Sequence, residues 1–310
     1  MLLYGVTLDK GEIAAYPCCM ASIKRGHHTV PRFYLDGFAN DDRQLGVAQL
    51  SSKKRFPSST GDATVFRDFY NIDSRADPNA VEDLLSEIEG DAAAVFRNVL
   101  VDRCWPLGIE QRAMLATFLA LQRTRTPSHR QMVDEIKEIM ADVLESTGRG
   151  DAVIPVGLDQ VDSKTVHIQS MLDIEQHAPC YFGRRWWLVQ FGRKRLLTSD
   201  SPVGLLPHPD APADAALGVG TAWVILFPMS PTVGLMMVAP DREDEPIDIA
   251  RGRADGILDG STYLAKLFNE TAIDNARESI FHHPDDGNLV PADLPSPRGR
   301  QLETSPGPPE

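Results

Sequence analysis

After Asp77-Pro78-Asn79, Val81, Leu84, Leu85, Ile88, Ala92, Val95, Phe96 and Val99 recur at the spacing of one helix face. Glu89 falls within that stripe, four residues after Leu85 and seven before Phe96. A carboxylate on a core-facing row needs a partner, because an unpaired buried charge is costly. The next stretch, Ile109 to about Thr126, repeats the pattern with Leu115, Phe118 and Leu119, and Gln122 is the next residue on that face. Arg125, seven after Phe118, lies on an adjacent row. An amide and a guanidinium that continue an apolar stripe either line a polar pocket or satisfy buried groups, so Arg125 has two readings: a bridge to Glu89 or a ligand contact. A third helix over Met132 to Leu144 carries a packing stripe of Met132, Ile136, Met140 and Val143, and another is expected over Lys164 to Gln176. The last, Ser261 to about Ile280, buries Leu264, Leu267 and Phe268 and sets Asn269 on a small-residue row of Ala265, Ala272 and Ala276.

Strands show as alternation. Gln44–Leu50 and Thr64–Ile72 each alternate apolar and polar positions. Trp186–Phe191 and Arg195–Thr198 read as a hairpin through Gly192-Arg193-Lys194, and Trp223–Phe227 with Val233–Val238 as another. Strand segments on both sides of a helical block predict an α+β fold: an antiparallel sheet with strands from both halves of the chain packed against helices. Residues 24–283 form the single domain of this reading. Residues 1–23 are an N-terminal extension with a second natural start at Met20, Gly148–Asp162 is a connection, and Leu205–Gly220 is a surface excursion. Residues 284–310, rich in proline, glycine and serine, are a disordered tail, with His282 and His283 on a fraying helix before it.

One short segment concentrates chemistry: His27-His28-Thr29-Val30-Pro31-Arg32-Phe33-Tyr34-Leu35-Asp36-Gly37-Phe38. Pro31 suits the first position of a helix, so an extended arm carrying two imidazoles turns there into a short helix on which Tyr34 and Phe38 share a face. Farther on, Thr198-Ser199-Asp200-Ser201-Pro202 follows a strand directly, so Asp200 either projects into a cleft or caps its own backbone in an Asx turn.

The pattern His27-His28-x-Val30-Pro31-x-Phe33-Tyr34-Leu35-x-x-Phe38 resembles the opening motif of the family called domain of unknown function 4238. Phe69-Tyr70-Asn71, Ile88-Glu89, Leu119 to Pro127, Thr198 to Val203 and Phe227-Pro228-Met229-Ser230-Pro231 follow in that family's order. Ser201 stands where such motifs often have asparagine. The resemblance covers about Lys24 to Phe281 and implies architecture and positions, with no activity attached.

Composition narrows the classes. The 310 residues are 42% hydrophobic, enough for a sizeable core. No apolar run is long enough to span a membrane and no secretory signal opens the chain, so the expected location is the cytoplasm. Four cysteines, with Cys18 and Cys19 adjacent and Cys104 and Cys180 isolated, form neither a disulfide framework nor a Cys-x-x-Cys pair. The net charge of −13 argues against a protein that coats nucleic acid. Locally, Lys24–Arg55 holds seven bases against three acids, whereas Asp241–Asp286 holds five against twelve. A basic patch of that kind fits an anionic substrate or nucleic acid held locally, or a solvated basic surface.

Glycine-rich phosphate loops, nucleophile elbows, His-Glu-x-x-His helices and dinucleotide fingerprints are all missing. The candidate site is therefore a scattered polar set. His27, His28, Asp200 and Glu89 are its catalytic members, and Arg32, Gln122, Arg125 and Asn269 its substrate-binding members. Imidazole as proton shuttle, carboxylate as base and arginine against negative charge suit hydrolysis of a phosphate ester or other anionic substrate, nuclease-like chemistry included. The cofactor is open, a divalent metal being one candidate. The rival class is a non-catalytic sensor or interaction module in which the same groups form a buried network and the protein partner is unknown. A site requires His28 to lie near Gln122, Arg125 and Asp200.

Overall fold

The computed structural model describes residues 24–71, 79–146, 162–212, 215–240 and 255–297. The expected N-terminal extension with Cys18 and Cys19, the Asp77-Pro78 helix start, most of the Gly148–Asp162 connection and the end of the tail lie outside them. These residues form eleven strands and seven α-helices, five of the helices in succession. The helical block is α2 (Ala80–Leu100), α3 (Ile109–Thr124), α4 (Pro127–Ser146), α5 (Ser163–Leu172) and α6 (Ile174–Phe182), with α1 (Arg32–Asp36) before it and α7 (Thr262–Asn275) near the end.

The strands form three sheets. Strands β1 (Gly26–His28) and β4 (Val65–Arg67) make a two-stranded arm. Strands β2 (Gln44–Gln49) and β3 (Arg55–Ser59) join β6 (Thr198–Ser199) and β11 (Ser279–His282) in the order β3-β2-β11-β6, antiparallel throughout. A five-stranded sheet, in the order β10-β5-β9-β8-β7, collects β5 (Arg185–Gln190), β7 (Gly204–Leu206), β8 (Val224–Ser230), β9 (Val233–Val238) and β10 (Asp255–Asp259). Only its β10–β5 pair is parallel. The fold is α+β. The second sheet takes strands from both halves of the chain, as alternation on either side of the helices predicts.

The largest core cluster joins the helical block to the sheets through aromatic edges: Tyr34, Phe96, Phe118 and Phe227 meet at ring-centroid distances from 5.1 to 6.2 Å. Tyr34 also ties two sheets together. Its hydroxyl donates to the Pro228 carbonyl on β8 at 2.8 Å and accepts from the Thr198 hydroxyl on β6 at 2.6 Å. Burial raises its pKa, which favours the protonated hydroxyl.

Several expectations are corrected. The hairpin from Trp186 to Thr198 does not form: β5 pairs with β9 and β10, and Thr198–Ser199 pairs with β11 in another sheet. Leu196 and Leu197 explain the crossing, because Leu196 packs with Val189 and Phe268 while Leu197 packs with Ala48 and Ile280. The Thr64–Ile72 strand shrinks to Val65–Arg67, since Asp68 adopts a positive φ of 53° and the next two residues turn inward. The last helix stops at Asn275, and Ser279–His282 becomes a strand whose Ile280, Phe281 and His282 are buried, so His282 is not on a fraying helix. On α4 the expected stripe is not the buried one: Val133 and Glu135 are buried, and Ile136 and Val143 are exposed. The tail does not begin at Pro284. Pro284–Leu289 is a 3-10 helix, Val290 is buried against β2-side residues, and Lys53 and Arg55 donate to carbonyls between Pro291 and Pro295. Two side chains of the basic patch therefore hold the chain's own backbone.

Candidate functional site

The arm meets the helical block through α2 and α3, which turn polar residues toward it. His27 is buried and stacks on Tyr70 at 5.2 Å. Its Nδ1 accepts the Tyr70 backbone N–H at 2.8 Å, so Nε2 carries the hydrogen and donates to the Lys24 carbonyl at 3.0 Å. Both nitrogens serve the backbone. Gln122 is fully buried and donates its amide to the Thr29 carbonyl at 3.0 Å, while its Oε1 has no hydrogen-bond partner.

Arg125, the residue that caps the C-terminus of α3, is the centre of the cluster. Its Nη1 donates to Glu89 at 2.6 Å and its Nη2 to the His28 carbonyl. Tyr70 closes the group, donating its hydroxyl to the Arg125 carbonyl at 2.9 Å with the Arg125 Nε 3.5 Å away. Burial works against the guanidinium's charge, but Tyr70 and Glu89 outweigh it and hold it protonated. Burial also raises Tyr70, with Arg125 opposing. The Glu89–Arg125 bridge, one of the two readings of Arg125, is present, and Glu89 keeps a quarter of its side chain exposed.

His28 differs from its neighbours. Its ring is half-buried, neither nitrogen makes a described hydrogen bond, and Nδ1 is buried without a partner. Burial lowers its pKa, Glu89 pulls it up, and Arg125 and the exposed Arg32 push it down further. Burial and the two guanidiniums thus favour the neutral imidazole, against Glu89. Glu82, seven residues before Glu89 on α2, completes the surroundings. One of its carboxylate oxygens is buried without a partner, and burial raises its pKa against the pull of His27, Arg125 and Lys24, with Glu89 adding to the rise. Periodicity could have found it, because Glu82 and Glu89 lie two helical turns apart on one face. Tyr70 carried no such signal beyond its place in a motif.

The structure brings His27, His28, Glu89, Gln122 and Arg125 together, with Arg32 acting on His28 from α1. It does not bring Asp200 or Asn269 to them. Asp200 binds the turn between α7 and β11: Oδ1 accepts from Arg277 at 2.9 Å, and Oδ2 from Glu278 at 2.8 Å and Ser279 at 3.0 Å. The carboxylate caps a distant backbone segment instead of its own, a partner that local sequence cannot reveal. Burial pushes it up to about 6, against the pull of those three N–H groups. Asn269 accepts from the Leu197 N–H at 2.8 Å and donates to the Arg195 carbonyl at 3.0 Å, fastening the chain where it crosses between sheets.

A second polar anchor was not expected. Arg112, buried on α3, pairs with Asp255 on β10, donates to the Phe182 and Arg184 carbonyls, and lies 4.1 Å over the Trp186 ring. Every donor has an acceptor, so it is a packing device. Among the described residues no group of three or more His, Cys, Asp or Glu could hold a metal ion. No helix of the described residues is long and apolar enough to cross a membrane. Cys104 and Cys180 are free thiols.

Comparison with curated proteins and with solved structures returns no match. The sequence pattern of one family, described as Protein of unknown function (DUF4238), matches residues 26–286, from the arm into the 3-10 helix. That span holds every residue of the cluster around Arg125 except Lys24, and the chain belongs to the DUF4238 family.

Proposed function

We propose that the protein is a cytoplasmic hydrolase of one domain that acts on a phosphate ester or other anionic substrate, with His28 as its proton-transferring group. The observation that supports this is the His28 ring: neither nitrogen makes a described hydrogen bond, Nδ1 is buried without a partner, and burial lowers its pKa while Glu89 raises it. A base must have a free lone pair, and His28 is the imidazole of the pair that has one. Arg32, exposed at the start of α1, is the contact for substrate charge, and Glu89 orients and polarises the site. Asp200, placed among the catalytic residues by sequence, has a structural role in this reading.

The test is turnover of small phosphoesters and of nucleic acids by purified protein, with and without divalent metals. Wild type should turn over at least one class, and His28→Gln should lose about 100-fold or more, the share that general acid–base catalysis supplies. An unchanged His28→Gln rate sinks the assignment. A second reading, a non-catalytic sensor or interaction module, is favoured by a separate observation: His27, Gln122, Arg125, Asp200 and Asn269 all direct hydrogen bonds at backbone groups. No turnover across the panel, with capture of a specific partner lost in Arg32→Ala, would support that reading instead.

A further inference from the structure

The hydrogen-bond register of the β1–β4 arm sorts its side chains onto two faces. Thr29 donates its N–H to the Thr64 carbonyl at 3.1 Å and Asp68 donates to the Arg25 carbonyl at 2.7 Å, so the bonds between the strands run through Arg25, His27 and Thr29 on one side and Thr64, Phe66 and Asp68 on the other. His28 with Val65, and Gly26 with Arg67, are therefore the pairs without mutual backbone bonds, and their side chains share one face at close range. His27 and Phe66 take the opposite face. Packing closes it, since His27 stacks on Tyr70 and the Phe66 ring lies 5.5 Å from Phe69.

The face of His28 opens to solvent. Gly26 and Val65 are exposed, and three quarters of the Arg67 side chain is accessible. Gly26 adds no side chain, and Val65 leans over its place: a β-carbon there would lie 3.3 Å from Val65 Cγ1. Gly26 and Val65 thus make a low apolar floor, with His28 and Arg67 at opposite corners. Diagonal neighbours across an antiparallel ladder are about 7–8 Å apart, within reach of long side chains. Both corners have hydrogen-bonding capacity to spare. Neither His28 nitrogen makes a described hydrogen bond, and Arg67 makes its described ion pair through Nε, 3.5 Å from the exposed Asp68 carboxylate. A pair of that kind holds little energy. Asp68 also accepts from Asn71 at 2.8 Å, and Asp62, the other acid beside the strand, accepts from the Ser59 hydroxyl at 2.6 Å.

We propose that Arg67 binds the substrate's phosphate over the Gly26–Val65 floor, within reach of His28 on the same face of the arm. This rests on the hydrolase reading and adds to it a residue that no motif or stripe marked. A guanidinium presents paired donors to two phosphate oxygens, which suits a monoester group held from one side while the imidazole meets it from the other. The backbone ladder, not a loop, fixes the two side chains relative to each other.

Methyl phosphate, titrated at constant ionic strength and followed by the imidazole resonances of His28, tests the assignment without turnover. The ring should shift, and Arg67→Gln should weaken binding about tenfold or more, the effect of one lost charge-assisted bond. Because Arg67 is exposed, that variant should fold as the wild type does. Arg193→Gln removes the same charge from the exposed loop after β5 and should leave the affinity unchanged. Arg67→Lys should recover only part of the loss, since an ammonium lacks the planar fork. Equal weakening by Arg67→Gln and Arg193→Gln, an affinity indifferent to Arg67→Gln, or no shift of the His28 ring would each overturn the proposal, and the turnover test of His28→Gln would still decide the hydrolase reading. Unchanged turnover in His28→Gln with an affinity that depends on Arg67 would remove the hydrolase and keep the phosphate site.

Discussion

Replacing Asp200 by asparagine separates a structural carboxylate from a catalytic one. Its two oxygens hold the N–H groups of Arg277, Glu278 and Ser279 at 2.8–3.0 Å, where α7 gives way to β11. An amide offers one acceptor oxygen. If that oxygen keeps the bonds to Glu278 and Ser279, the NH2 group is pressed against the Arg277 N–H, and one charge-assisted bond worth about 1.5–3 kcal/mol is lost. Relief from burying a charge offsets part of this, leaving a cost of about 2 kcal/mol at neutral pH. The pH dependence carries a second signature. The folded pKa, about 6, lies above the ordinary 3.8, so the folded state binds the proton more tightly and the wild type gains stability as pH falls through that window. At about 1.4 kcal/mol per unit the full gain is about 3 kcal/mol, reduced because Asp200 is partly exposed. The asparagine variant lacks this gain. The stability gap between wild type and variant should therefore widen by about 1–3 kcal/mol from pH 7 to pH 4, read from urea denaturation midpoints. A gap below about 0.5 kcal/mol at pH 7 that stays flat with pH refutes the argument. Loss of turnover at unchanged stability would return Asp200 to the catalytic set.

Arg125→Met should cost about 3–5 kcal/mol in urea denaturation, since it strips three acceptors of their partner, whereas Glu89→Gln at a quarter-exposed site should cost about 1 kcal/mol. His167, fully buried, has its pKa lowered to about 3 by burial and by Arg130 and His129, so its contribution is complete above the ordinary 6.5 and is lost as pH falls through that range. His167→Gln should accordingly flatten the decline in stability between pH 6.5 and pH 4, and an unchanged slope would show that the ring titrates normally. Gly46→Ala should destabilise by about 1–3 kcal/mol, because a β-carbon there falls inside the buried His282 ring across the β2–β11 pair. His282→Ala should recover part of that loss in a double-mutant cycle, and strict additivity of the two would exclude the contact.

The helical half of the molecule was legible because its elements are long. Eight apolar positions on α2 and the Leu115-Phe118-Leu119 face of α3 fix which sides are buried, and the residues interrupting them, Glu89, Gln122 and Arg125, are the ones that meet the arm. Arg112 precedes Leu115 by three residues on that same face, so equal attention to the start of α3 would have flagged its pairing, though not with Asp255. The sheets were less legible. β6 has two residues and β7 three, too few for any alternation, and the parallel partner of β5 lies 70 residues away in the chain. The hydrogen bonds of Asp200 and Asn269 are long-range facts of the same kind: each sequence motif exposes the side chain's chemistry, and only the packed fold supplies the backbone it binds.

The place of β11 in the four-stranded sheet also constrains how the chain can be made. Its strand sits between β2, more than two hundred residues earlier, and β6, and it fills the hydrogen-bonding edge of both. A nascent chain leaving the ribosome can pair β2 with β3 early, but that hairpin must wait with one hydrogen-bonding edge open until residue 282 has emerged. Closure of this sheet is thus a late event of high contact order, and the interval before it is when β2 is most available to a chaperone or to a neighbouring chain.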